Sequence, residues 1–324
     1  MDSLPTTEAF ASESNISVSY PFKWCAVFTG IVGVITNGVV FAALLSKDRV
    51  IRVKRTINIF IINQVALDLF SSVFLFVSYA MKLSPPQVVG TFGSLFCMVI
   101  DSDMITFVGL TGSFSSLVLI AAERYFLIVH PVLHKTQVTR WLLIALGTLP
   151  WVVGVVTNMA GGWASTVVDG TCFTFNFWPS ETAQLTYSIC IVLLTFFIPL
   201  TLLVFFYGSV LIVVRRRSQV FQGHYANQDT STVLQTNAHR AQINTLSTMV
   251  IVSVTFVVCW FPSHIWYIVQ YSVPNNYTFY SLSLFIVYLN ICINPFIYAA
   301  KLYPVKKKLR GWISRNSVAV VTIA

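Results

Sequence analysis

Charge is scarce in this sequence. Only 10% of its 324 residues are Lys, Arg, Asp or Glu, while 56% are hydrophobic; an ordinary soluble domain carries roughly 25% charged residues. So few charges do not cover the surface of a water-soluble fold of this length, which excludes that class. Segments of strict polar–apolar alternation are also missing, which argues against a membrane β-barrel. No internal repeat is found, so the chain reads as one domain. The amino terminus, Met1-Asp2-Ser3, lacks a basic region followed by an apolar core. No cleavable signal peptide is expected there, and the first apolar run is expected to act as the insertion signal.

What the chain does have is seven apolar runs long enough to cross a bilayer, which takes about 20 residues. They lie at about 24–46, 57–81, 94–126, 140–160, 184–214, 240–271 and 277–300. The predicted fold is an all-α seven-transmembrane helix bundle. Residues 1–23 form an extracellular amino terminus, 24–300 the bundle, and 301–324 an amphipathic helix with a short cytoplasmic tail.

A net charge of +9 would fit nucleic acid were it not for its distribution. Every Lys and Arg except Lys23 and Lys82 falls on one side of the seven runs. By the positive-inside rule that side is the cytoplasm, so the chain is read as a multi-pass plasma-membrane protein with its amino terminus outside. Lys306, Lys307, Lys308 and Arg310 are placed to hold the amphipathic segment to anionic lipid. Two sequons, at Asn15 and Asn276, fall outside, and Asn15 is the favoured glycan site because Asn276 lies close to the membrane. The same topology puts Cys97 at the outer end of span three and Cys172 in the second outer loop, where oxidation is permitted. A Cys97–Cys172 disulfide is predicted. Cys190, Cys259 and Cys292 lie within spans as packing residues, and Cys25 sits near the outer boundary.

Polar groups inside the spans need partners, because a membrane charge costs about 2.5–3.5 kcal/mol on insertion scales. Asp68, mid-span two, is either a carboxylate satisfied by its neighbours or an ion or proton site, with Ser113, Asn290 and Asn294 as candidate partners. Glu123-Arg124-Tyr125 closes span three at the inner boundary. Pro199, Pro262 and Pro295 interrupt the backbone ladders of spans five, six and seven, which suits a bundle whose inner ends swing.

Taken in order, these residues resemble the rhodopsin-like (class A) G-protein-coupled receptors. Cys259-Trp260-Phe261-Pro262 is similar to the family's Cys-Trp-x-Pro, and Asn290 through Tyr298, ending Asn294-Pro295-Phe296-Ile297-Tyr298, to its Asn-Pro-x-x-Tyr signature. Asn37, Asp68, Glu123-Arg124-Tyr125, Trp151, Pro199 and Tyr207 fall in register, so the likeness runs from about residue 24 to 313. Similarity of the helix-six run Cys259–Tyr267 points further to neuropeptide receptors of the galanin, somatostatin and RFamide-like groups.

The resemblance implies roles. Arg124, Tyr207 and Tyr298 would rearrange as helix six moves outward and opens a G-protein pocket. Trp260 and Phe256, with Pro199, Phe114 and Pro262, would couple the ligand cavity to that movement. Asp68, Ser113, Asn290 and Asn294 would form a pocket for a sodium ion, an allosteric modulator and the one cofactor-like group implied. Arrestin is a secondary inner partner, since the tail beyond 313, with Ser314 and Ser317, offers it little to read.

Departures matter as well. Gln242 stands where relatives with a full ionic lock carry an acid, so appreciable ligand-independent activity is expected. Between Cys97 and Arg124 lie 26 residues, two more than usual, which predicts an extra bulge at the outer end of span three. Gly90 replaces a common loop Trp, and no cysteine follows Cys292 to carry palmitate.

Ligand class is read from charge and aromatics. The outer segments carry seven acids against Lys23 and Lys82, and such a vestibule concentrates cations. A cationic ligand is expected, with Asp101 or Asp103 pairing to it. The position where amine receptors hold their Asp is Thr106 here, with Asp103 in reserve because of the two-residue shift, and span seven has no retinal-binding Lys, Tyr288 standing in its place. A peptide is therefore preferred, docking on an aromatic mouth that includes Tyr79, Phe107, Trp178, Tyr267, Tyr271 and Tyr288. His264 fits either that mouth or a core position. Small amines and lipids are the alternative ligands. An ion or solute transporter is the rival class, although paired broken helices and repeats are not found. An enzyme is not supported, for no His-Glu-x-x-His cluster is present.

Overall fold

The structure is a computed structural model that describes residues 19–45, 55–174, 178–224, 231–270, 277–303 and 305–312. Side chains of 55–58, 217–224, 231–245 and 277 lie outside that description. Asn15, Tyr271 and Asn276 fall outside it, as does the side chain of Gln242.

Among the described residues, seven helical segments are long and apolar enough to cross a membrane. Span one is α1 (Tyr20–Leu45) and span two α2 (Arg55–Leu83). Span three runs from α3 (Gly90–Phe96) through a π-helical turn, Cys97–Asp101, into α4 (Met104–Val129). A short inner helix, α5 (Pro131–Gln137), precedes span four, α6 (Arg140–Trp163). After a hairpin of β1 (Thr166–Val168) and β2 (Thr171–Phe173), span five comprises α7 (Glu181–Val192), a second π-helical turn at Leu193–Phe197, and α8 (Ile198–His224). Spans six and seven are α9 (Ser231–Val269) and α10 (Tyr277–Lys301).

The start signals are ordinary helix caps. The Thr139 hydroxyl accepts from the Leu142 amide at 3.2 Å to open span four, and the Ser180 hydroxyl accepts from the Ala183 amide at 3.1 Å to open span five. Each π-helical turn inserts a residue and re-aims the helix beyond it. In span five the π turn directly precedes Pro199, whose missing amide leaves an ordinary ladder incomplete. In span three the π turn is followed by Asp103 in the left-handed region, φ 57°. That irregularity lies within the stretch between Cys97 and Arg124 that carries the two surplus residues. Span four also carries an interior proline, Pro150, so proline within the helix is not confined to spans five to seven.

Span three is the central post, packed against spans two, four and five. Gly154 makes the contact with span four possible: a Cβ there would fall on the Val108 carbonyl. Gly30 does the same between spans one and two, where a Cβ would stand 2.8 Å from the Phe76 amide nitrogen. Close backbone approach of this kind is how membrane helices gain contact without a hydrophobic driving force between them.

At the outer face the Cys97–Cys172 disulfide ties β2 to the top of span three. The Val88 amide donates to the Gly170 carbonyl at 3.1 Å, so the hairpin turn is held to the first outer loop too. At the inner face residues 305–312 are helical. Val305, Leu309 and Trp312 turn one side of that helix onto the core, while Lys306, Lys307 and Arg310 are exposed. The predicted amphipathic segment is present.

Candidate functional site

The outer ends of the spans enclose a cavity of about 460 Å³, lined among others by Tyr79, Lys82, Asp101, Phe107, Tyr267 and Tyr280. Asp103 forms part of its wall and is 7% exposed. Three donors converge on that carboxylate: the Ser78 hydroxyl, the Lys82 ammonium at 2.9 Å and the Tyr288 hydroxyl at 3.2 Å. Spans two, three and seven are thus joined at one acidic group. Lys82 also stands over the Tyr79 ring, 4.5 Å from its centroid, and Lys23 donates to the Lys82 carbonyl at 2.9 Å.

Among the described residues the outer segments stay net acidic, with Asp101, Asp103, Asp169 and Glu181 against Lys23 and Lys82, but the cavity wall itself is balanced. Lys23 and Lys82 balance Asp101 and Asp103 on the cavity wall. Asp2, Glu8 and Glu13 lie outside the described residues. Of the ligand-facing residues proposed from sequence, Asp101, Asp103, Phe107 and Tyr267 line the cavity, and Thr106, His264 and Tyr288 are buried away from its wall. His264 takes the core alternative. One ring nitrogen contacts the Thr195 hydroxyl at 2.9 Å and the other the Trp260 carbonyl at 3.0 Å, and Phe196 stacks on it at 4.8 Å. Both nitrogens are engaged within the bundle, which is why it does not face the cavity. Trp178 packs instead on Tyr187, 4.9 Å between centroids.

Sequence reasoning missed Lys82 as a site residue because it counts there only as an outside charge. Its spacing held the signal: Ser78, Tyr79 and Lys82 sit at i, i+1 and i+4, and positions three or four apart share a helix face.

Below the cavity aromatic rings run inward. Phe107 meets Trp260 edge to face at 6.3 Å, Trp260 stacks on Phe256 at 5.2 Å, and Phe256 stacks on Phe114 at 4.4 Å. Beside this column lies a polar chamber. Asn294 Nδ2 donates to Asp68 Oδ2 at 3.1 Å. Asp68 Oδ1, the Ser113 hydroxyl, Asn294 Oδ1 and both side-chain amide atoms of Asn290 are buried with no hydrogen-bond partner among the described residues. Asn37 Nδ2 bridges the Gly33 and Ile291 carbonyls at 3.0 Å each, locking span one to span seven.

At the inner end, Arg124 Nε pairs with Glu123 Oε2 at 3.1 Å, and His134 on α5 approaches Glu123 Oε1 at 3.6 Å. Arg124 is 1% exposed. The Ser253 hydroxyl donates to Tyr207 at 3.4 Å, joining spans five and six. The Tyr298 hydroxyl is buried and has no hydrogen-bond partner among the described residues.

An outer cavity, a packed aromatic column and a capped inner arginine are arranged along one axis, and comparison with known proteins places that arrangement. Residues 36–298 match the family described as 7 transmembrane receptor (rhodopsin family). The chain belongs to that family. It is therefore a class A G-protein-coupled receptor of the cell membrane and not an enzyme. Membership likewise sets aside the transporter reading. The receptor is 26% identical over 318 residues to the mouse substance-P receptor, covering 92% of this chain and 73% of that one. It is 26% identical over 225 residues to the rabbit neuropeptide Y receptor type 6, covering 64% and 58%. In fold it is similar to squid rhodopsin, with a TM-score of 0.75 at 18% identity over 96% of this chain and 89% of that one.

Proposed function

We propose that the receptor sits in the plasma membrane with its amino terminus outside and converts binding of an extracellular peptide into activation of a heterotrimeric G protein. The observation that carries this is the unbroken run of contacts from Phe107 at the cavity through Trp260 and Phe256 to Phe114. A ligand that shifts the cavity end of this column changes the packing between spans three and six. It needs only a differential affinity for the two arrangements to move the equilibrium. Arg124, Tyr207 and Tyr298 are the inner groups that would change partners, and membrane lipid and arrestin are further inner partners.

Relatives named for substance P and neuropeptide Y favour a peptide over an amine or a lipid. The aromatic wall of Tyr79, Phe107, Tyr267 and Tyr280 suits it too, because rigid rings give contact area at low entropic cost. A cationic group on that peptide would meet Asp101 on the wall and Asp103 behind Lys82. The amino-terminal orientation is supported by the disulfide, which belongs on the oxidising side. A glycan on Asn15 belongs to the same orientation.

The chamber around Asp68 fits a sodium ion. One oxygen of the Asp68 carboxylate, whose other oxygen accepts from Asn294, and side-chain oxygens of Ser113, Asn290 and Asn294 are buried without a hydrogen-bond partner among the described residues, which suits a hard cation. A bound ion would neutralise Asp68 and favour the arrangement in which spans two, three and seven stay close. No other cofactor is proposed.

Screening an amidated peptide library, with and without basic residues, for calcium and cyclic-nucleotide responses in transfected cells tests the reading. Responses to a peptide, lost in Arg124→Ala receptors of equal surface expression, are expected. Activation by amines or lipids alone would replace the peptide, and an epitope on the carboxyl tail readable on intact cells would overturn the orientation.

A further inference from the structure

We propose that the Asp103 carboxylate is a primary-ammonium site which the receptor fills with its own Lys82, and that the ligand's cationic group takes this position over. The inference rests on the reading of the outer cavity as the ligand site and names the chemistry of its deepest contact.

Several features set this pair apart from a surface salt bridge. Asp103 is held in the left-handed backbone region between a π turn and α4, so the chain bends out of helical form at the residue that carries the acid. A non-glycine residue in that conformation is sustained only when its surroundings determine it. Two of its three donors, Ser78 and Tyr288, are fixed neutral groups, and Tyr288 is itself within 3.3 Å of the Tyr79 hydroxyl. They prepare one side of the carboxylate. The third donor is a cation on a flexible four-carbon stem.

Lys82 reaches Asp103 from the last turn of span two, and its side chain is 16% exposed on the cavity wall. Its ammonium is flanked by the Tyr79 ring at 4.5 Å, so the place it occupies offers a carboxylate and an aromatic face together. That pairing is how proteins recognise organic cations. Lysine is a compact point charge with rotatable bonds. Both side chains reach the cavity wall, but Lys82 is the longer and more exposed of the two, 16% against 9%.

The consequence is a competition. A ligand ammonium or guanidinium entering the cavity would displace Lys82 without exposing Asp103 to an unpaired state. Neutral ligands would leave the pair closed. Loss of Lys82 alone would strand a buried carboxylate, which is strongly unfavourable. It would also leave a hole with the shape of the missing atoms. Beyond Cβ, lysine is three methylenes and an ammonium, so n-propylammonium supplies what Lys82→Ala removes.

The test uses full-length receptor purified in detergent, with melting temperature as the readout, so it needs neither a known ligand nor a G protein. Lys82→Ala is expected to lower the melting temperature by about 5 °C. Millimolar n-propylammonium should restore at least half of that loss, and tetramethylammonium, lacking a donor, should not. Wild type and Lys82→Ala/Asp103→Asn should show no such response, and the double variant should melt above Lys82→Ala. Should Lys82→Ala fold too poorly to purify, Lys82→Met keeps the stem's bulk, and its melting loss should be relieved by Asp103→Asn. Equal stabilisation of wild type by n-propylammonium, or no rescue of Lys82→Ala, overturns the cation site. Failure of the peptide screen with rescue intact would instead count against the peptide alone.

Discussion

The rings of Phe114 and Phe256 lie face to face, 4.4 Å apart and 8° from parallel. One belongs to span three and the other to span six, and both are at most 1% exposed. With Trp260 stacked on Phe256 at 5.2 Å, span six cannot move away from span three without separating these rings. The stack therefore ties the packing of spans three and six to the residues that lie below the outer cavity.

Phe256→Ala should uncouple the two ends. Removing a buried ring costs about 3–5 kcal/mol when the site cannot collapse. Lower thermal stability and a clear change in basal G-protein activation, at matched surface expression, are the expected outcomes. Phe256→Leu should recover most of the stability, and unchanged signalling in both variants would count against the column as the transmitter.

Sodium should stabilise the receptor through Asp68. Replacing choline chloride by sodium chloride at constant ionic strength should raise the melting temperature of wild type, following the linkage between ligand concentration and folding. Asp68→Asn removes the charge and should abolish the sodium-specific difference. A rise of the same size in the variant would show that the ion binds elsewhere.

Gly154 and Gly208 make a paired test of helix contact. Any Cβ at Gly154 meets the Val108 carbonyl, whereas nothing lies within 4 Å of a Cβ at Gly208. Gly154→Ala should sharply reduce surface expression and stability. Gly208→Ala should be neutral or stabilise by up to ~1 kcal/mol, through helix propensity. Equal behaviour of the two variants would refute the close approach of spans three and four.

Gln242 bears on basal activity. With an amide in place of an acid, it cannot form an ion pair with Arg124, and Arg124 instead pairs within its own helix to Glu123. Gln242→Glu should therefore lower ligand-independent signalling in a G-protein dissociation assay. Comparable signalling in the two receptors would show that the inner end is closed by other contacts.

The outer disulfide closes a loop with a sequence separation of 75 residues. In the chain-entropy account, loops of this length gain about 4 kcal/mol from the link. Cys97→Ser and Cys172→Ser should each lose stability, and the double variant should lose no more than either alone. Additive losses would mean that the cysteines act separately.

The number of spans and the family were readable before folding is considered. The reason is physical: hydrocarbon forces every span to declare itself as a long apolar run, and the few polar residues allowed there stand out. Asp68, Arg124, Trp260, Asn294 and Tyr298 were legible in this way, and so was the surplus of residues above Arg124. The outer cavity, by contrast, exists only once the helices pack. A mouth shared among several helix ends depends on where each side chain points, which composition does not carry. Charge counting read Asp101, Asp103, Lys23 and Lys82 as a simple sum, while folding closed Lys82 onto Asp103 and turned His264 into the core. Such pairings join residues 21 positions apart or, for Tyr288 and Asp103, 185. Only the packed bundle, with its π turn and left-handed Asp103, brings them within hydrogen-bond reach.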